Sequence, residues 1–161
     1  MSKTFQLTFA GAILAIAVLV WAGFRNTSGN HLEPAGKIGK LRVQAAAENL
    51  SIVVADFSIT NDSDRVMQVR SIEAIVEMPD GTMVAATQVP SPDLPKIFQA
   101  FPLLGEQFNP PLHLRERIPP HQAVDRMVAL RVEAPESIVE RRKRFLLRIE
   151  DVTGPVLEMI K

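Results

Sequence analysis

Between Lys3 and Arg25 the chain carries no charged side chain over residues 4–24, and from Ala10 to Phe24 it is apolar almost without interruption. At roughly 1.5 Å of rise per residue, such a run spans a hydrocarbon core of about 30 Å. Within lipid the backbone N–H and C=O groups must be satisfied inside the segment, so a helix is the form open to it. Residues 1–25 are therefore expected to form one transmembrane helix, with Leu7, Phe9, Ile13, Leu14, Ile16, Val18, Leu19, Val20, Trp21 and Phe24 meeting the bilayer. Two other readings fit less well. A cleavable signal peptide has an apolar region of only about 7–15 residues closed by small side chains, and Val20-Trp21-Ala22 is a poor cleavage site. A buried helix of this length would need a large protein around it.

Lys3 and the amino terminus stand on one side of the run, with Arg25, Lys37 and Lys40 on the other, so charge alone leaves the orientation balanced. The short leading tail offers nothing to translocate. The pattern is that of an uncleaved, single-pass signal anchor in the inner (cytoplasmic) membrane, with the C-terminal domain on the extracytoplasmic side. Trp21 and Phe24 fall where aromatic rings sit among headgroups. Gly11, Ala12, Ala15 and Ala17 allow another helix to approach closely.

The remainder of the chain is expected to divide into a flexible linker, residues 26–39, and one domain, residues 40–161, which is long enough for a single core. The 18 basic and 18 acidic residues balance, and two of the basic ones, Lys3 and Arg25, flank the anchor. A near-neutral domain argues against nucleic acid as a partner. There is no cysteine, so disulfides, thiolate metal sites and cysteine nucleophiles are all excluded. Tyrosine is absent and the one tryptophan lies in the anchor, so the domain lacks the usual platforms for stacking sugars or bases.

Beyond the linker the pattern is that of short strands. Ile38, Leu41, Val43 and Ala45 interleave with Lys40, Arg42 and Gln44, a strand with one wet face. Residues 50–60 form a second strand in which Asp56 and Ser58 alternate with Phe57 and Ile59. Asn61-Asp-Ser-Asp64 is a self-bonding turn. Residues 66–78 make a third strand with a bulge near Ser71-Ile72, and Pro79-Asp-Gly-Thr82 turns it into a fourth over residues 83–89. Leu94, Ile97, Phe98, Phe101 and Leu104 keep helical spacing, placing a short helix at residues 93–100. A short strand at 113–118, another at 123–133, one or two helical turns at 135–141 and a hairpin at 145–160 complete the chain. Strands at this spacing describe a mainly β fold, an antiparallel sandwich with one or two short helical inserts.

Asp56-Phe-Ser-Ile-Thr-Asn-Asp-Ser-Asp64, followed by Val69-Arg-Ser-Ile-Glu-Ala-Ile-Val76 and Pro79-Asp-Gly81, resembles the immunoglobulin-like sandwich of late-embryogenesis-abundant type 14 and water-stress/hypersensitive-response domains. The resemblance covers about residues 40–81 and implies an immunoglobulin-like fold. It transfers no functional residue, and the anchor and the Phe-rich insert depart from it.

No set of residues suggests catalysis. His31, His113 and His121 are not at ligand spacing. Asn61, Asp62 and Asp64 lack the spacing and distal Glu of a calcium loop. No phosphate loop, nucleophile elbow or helical metal motif is present. Arg141-Arg-Lys-Arg144 reads as a solvated helix end, with lipid phosphates as the alternative. The Asn-x-Ser/Thr triplets at Asn26, Asn49 and Asn61 matter only in a glycosylating pathway.

One segment stands out. Residues 94–112 gather Phe98, Phe101, Leu103, Leu104 and Phe108 among Pro102, Pro110 and Pro111. Either it is a lid over an open end of the sandwich or it is an apolar patch that docks a partner, and Phe98, Phe101, Leu103, Leu104 and Phe108 are the candidate partner-binding residues. The expected function is a non-catalytic, membrane-anchored accessory or assembly subunit of an envelope membrane protein complex, without cofactor or metal, held by its helix and this segment. The alternative is a stand-alone stress-protective or lipid/ligand-binding sandwich at the membrane surface.

Overall fold

The computed structural model describes residues 34–161, so the expected transmembrane helix and linker residues 26–33 lie outside the described residues. Among the described residues no helix is long and apolar enough to cross a membrane. Eight strands dominate: β1 (Pro34–Ala47), β2 (Leu50–Asn61), β3 (Met67–Glu77), β4 (Met83–Gln88), β5 (Arg117–Ile118), β6 (Gln122–Val132), β7 (Arg144–Asp151) and β8 (Val156–Ile160). Two short helices interrupt them, α1 (Leu94–Ala100) and α2 (Glu136–Glu140), with single 3-10 turns on either side of α1. The described residues are mainly β with two helical inserts, as their periodicity predicts.

The strands run β1-β2-β6-β4-β3-β7-β8 in space, with β5 set beside β3. β4 is the corner. Its residues Met83 to Ala86 pair with β3, while Thr87 and Gln88 pair with β6. The ribbon folds there, and its two arms face each other as a β-sandwich. Val53, Ala55, Phe57 and Ile59 of β2 meet Phe145, Leu147 and Ile149 of β7, with Leu157 and Met159 of β8, in one core. At the far side β1 passes so close to β8 that a Cβ on Gly36 would lie 2.6 Å from Met159 Sδ and 3.0 Å from the Ser58 carbonyl, so any side chain there would have to displace Met159.

The predicted turns are made by the predicted residues. In the β3–β4 hairpin the Met78 N–H donates to the Thr82 carbonyl at 2.8 Å, and the Thr82 N–H donates to Asp80 Oδ1 at 2.8 Å. Hydrogen bonds from Thr82 hold the Asp80 carboxyl below the usual aspartate pKa. A depressed folded value means that the stability this group lends is present above the ordinary aspartate pKa and is lost as pH falls through the lowered one. NMR titration should find Asp80 protonating at lower pH than a peptide aspartate, with the Thr82 amide shift following it; an ordinary titration would refute the bond. Asn61 ends β2 fully buried: its amide nitrogen donates to the carbonyls of Arg65, Ile118 and Pro119, and its oxygen accepts from Ser63. The β3 irregularity falls between Val69 and Ser71, beside the expected bulge.

Three expectations are corrected. Residues 34–39 are not linker but the first half of β1, paired with the end of β2 and tied down by buried Ile38. The strand expected at 113–118 shrinks to Arg117–Ile118, because Arg115 takes a φ of 65° and the Glu116 N–H turns back to the His113 carbonyl. The wet face expected of β1 is closed at Arg42, which is buried together with Asp56 of β2.

Candidate functional site

Strand alternation sends Val53, Ala55 and Phe57 into the sandwich core, so Ile52 and Val54 must point out of it, joined there by Met127 and Ala129 of β6. Four apolar side chains on an outer face need cover. Residues 94–112 supply it: Leu94 and Leu104 are buried against them together with Val89, and Ile97, Phe98 and Phe101 pack at the margin. The Phe-rich segment is thus a lid, and it covers a face of the β1-β2-β6 arm rather than an end of the sandwich.

A buried arginine fastens the lid to β1. Arg42 is 8 % exposed, and its Nη2 donates to Asp56 Oδ2 at 2.8 Å, while Nη1 donates to the lid carbonyls of Leu104 and Glu106 at 2.5 and 2.7 Å. Two carbonyls flanking one residue converge on one guanidinium nitrogen because Gly105 between them sits at φ 75°, a conformation that glycine adopts without strain. The other Asp56 oxygen accepts from Asn109 Nδ2 at 3.0 Å, and Gln44 Oε1 accepts from the Leu104 N–H at 3.2 Å. The guanidinium carbon lies 4.9 Å from the centre of the Phe108 ring and 5.7 Å from that of Phe98. Lys40 Nζ lies 5.5 Å from the Phe108 ring. Arginine suits this place, since its planar fork can bond a carboxylate and carbonyls while its face stacks on rings. Its Nε is buried without an acceptor.

The lid divides the residues singled out in the sequence. Leu104 is fully buried, so it anchors the lid and cannot meet a partner, which corrects its place among the contact residues. Phe98 and Phe101 are half-buried in the second apolar cluster. Leu103 at 80 % and Phe108 at 60 % exposure form the outward surface. Nothing in the sequence marks Arg42, Asp56 and Asn109 as a cluster. The Lys40, Arg42, Gln44 alternation is legible, but a strand face that meets a polar-bonded lid has the same pattern as one that meets water.

The other candidates are accounted for locally. His121 Nε2 lies 2.8 Å from Asp64 Oδ1 with both side chains exposed, and His113 Nδ1 lies 3.3 Å from Ser91 Oγ; His31 lies outside the described residues. Among the described residues no three metal-ligating side chains gather. In the basic run, Arg141 Nε and Arg142 Nη1 donate to the carbonyls of Ser137 and Val139 at the end of α2, and Arg144 pairs with Glu77 at 2.6 Å. Burial pushes the Arg142 pKa down from its ordinary value, opposed in part by Glu140.

No protein-family model matches the chain, and no curated protein matches it. The solved structures similar to it include the following two. The archaellum periplasmic stator protein FlaG from Sulfolobus acidocaldarius shares 10 % identity over 80 % of this chain and 100 % of that one, with a TM-score of 0.37. An uncharacterised β-sandwich protein from Clostridium difficile 630 shares 12 % identity over 81 % of this chain and 80 % of that one, with a TM-score of 0.33. Likenesses at this level say nothing of function.

Proposed function

We propose that this protein is a non-catalytic, single-pass membrane protein whose immunoglobulin-like sandwich serves as an accessory or assembly subunit of an envelope membrane protein complex. The anchor would be the uncharged run at residues 4–24, with the sandwich on the extracytoplasmic side. One observation carries the reading: Leu103 and Phe108 stand 80 % and 60 % exposed on a lid whose backbone is pinned by buried Arg42. Exposed apolar side chains on a held backbone lose little conformational entropy when a partner covers them, which is the arrangement of an interface anchor. The occupant is a subunit with a complementary apolar hollow.

The test is comparative. The full chain, extracted in mild detergent, should retain a specific membrane partner that is lost in Leu103→Ser/Phe108→Ser, with the thermal midpoint of the variant essentially unchanged. Equal retention by the variant, or a wild-type chain that purifies alone under several detergents, rejects the reading.

A further inference from the structure

β8 ends the strand order and, among the described residues, pairs with β7 alone. Phe145 and Lys161 exchange both backbone hydrogen bonds, at 2.7 and 2.9 Å. That fixes the phase of the ladder, because bonded and unbonded pairs alternate between antiparallel strands. Leu147–Met159 and Ile149–Leu157 are then bonded pairs, whereas Leu146–Ile160, Arg148–Glu158 and Glu150–Val156 are unbonded. The N–H and C=O groups of Val156, Glu158 and Ile160 therefore point away from β7, along the edge of the sheet.

Leu157 and Met159 are buried in the core, so alternation puts Val156, Glu158 and Ile160 on the outer face, where Val156 is 36 % and Ile160 60 % exposed. Glu158 and Ile160 also line a groove of about 240 Å³ floored by Ile75, Leu146 and Met83. The other end of the strand order differs. On β1 the Ala45 N–H is taken by Glu136 Oε2 at 3.1 Å, and Lys161 Nζ donates to the Gly39 carbonyl. Side chains blunt that edge as proteins commonly do; on β8 no such bond is made among the described residues.

The geometry points to β8 as a docking edge for an extended strand of a different protein, one that carries a basic residue between two apolar residues at alternate positions. Edge N–H and C=O groups would bond its backbone, and alternate side chains would read its sequence. Charge selects the occupant. Two copies of β8 paired about a two-fold axis with all three outward residues engaged would set Glu158 against Glu158, and like charges directly opposed destabilise a ladder. A lysine or arginine there would instead meet Glu158, whose contact with Arg148 is long at 3.6 Å and solvent-exposed. Apolar neighbours on either side would cover Val156 and Ile160.

The experiment uses the full chain in mild detergent and two synthetic peptides, each alternating threonine with valine, one with lysine and one with glutamate at its centre. The lysine peptide should slow amide exchange at Val156, Glu158 and Ile160, and should bind roughly five- to tenfold more tightly than the glutamate peptide. Glu158→Lys should invert that preference. Absence of binding, equal binding of the two peptides, protection at other residues, a preference that E158K leaves in place, or wild-type dimers formed through β8 would each overturn the proposal. This edge is separate from the lid, so its failure leaves the lid reading untouched.

Discussion

Arg42→Met should lower the unfolding free energy by about 3–5 kcal/mol, the usual consequence of removing one partner of a buried ion pair. For a domain of this size that corresponds to a fall in Tm of roughly 10–20 °C. The loss has identifiable parts. Asp56, whose side chain is 9 % exposed, keeps only the Asn109 bond, and the carbonyls of Leu104 and Glu106 lose their donor. A buried acceptor left without a donor costs its desolvation in full. Methionine fills much of the arginine's volume, so a cavity contributes little to the difference. Adding Asp56→Leu to Arg42→Met removes the stranded carboxylate, and the double variant should be more stable than Arg42→Met alone, because an apolar pair of similar volume often matches a buried ion pair. Thermal melts of the wild type and the two variants give the comparison. Lid release has its own signature, faster tryptic cleavage at exposed Lys96 in Arg42→Met. A single variant within about 1 kcal/mol of wild type would show that the arginine does not fasten the lid.

The same residue shows what the sequence hid. Elements whose signals are local were legible: Pro79 to Thr82 makes the turn it spells, Leu94 to Ala100 forms the short helix its spacing requires, and β7 and β8 flank Thr153-Gly-Pro155 as expected. Hydrophobic periodicity places an apolar residue on one face of a strand, and β2 obeys it. Periodicity is silent on what the other face meets. Asp56 and Arg42 alternate with core residues as solvated side chains do, yet they are buried because a segment 53 to 64 residues downstream lies across them. Pairing at that separation leaves no local trace, so the lid's composition was visible while its seat was not. β1 carries the same lesson at its start, where Pro34, Gly36 and Gly39 read as linker residues but residues 34–38 pair with β2 and Gly36 lies close against Met159 and Leu157 of β8.

Two adjacent leucines in the lid should separate anchoring from docking. Leu104→Ala should cost about 2–5 kcal/mol, since the side chain is fully buried among Ile52, Val54 and Met127 and its truncation leaves a cavity between lid and sheet. Leu103→Ala, at 80 % exposure, should change stability by no more than about 0.5 kcal/mol. Urea midpoints measure both. Partner retention should order them by a different rule: Leu103→Ala weakens it while the fold is intact, and Leu104→Ala weakens it only as far as the lid loosens. The two effects can be told apart because addition of a lid-restoring condition, such as lower denaturant or temperature nearer the stability maximum, should rescue Leu104→Ala and leave Leu103→Ala impaired. Equal costs for the two leucines would mean that the segment lies on the sheet in another register, and the exposed surface proposed for docking would then belong to other residues.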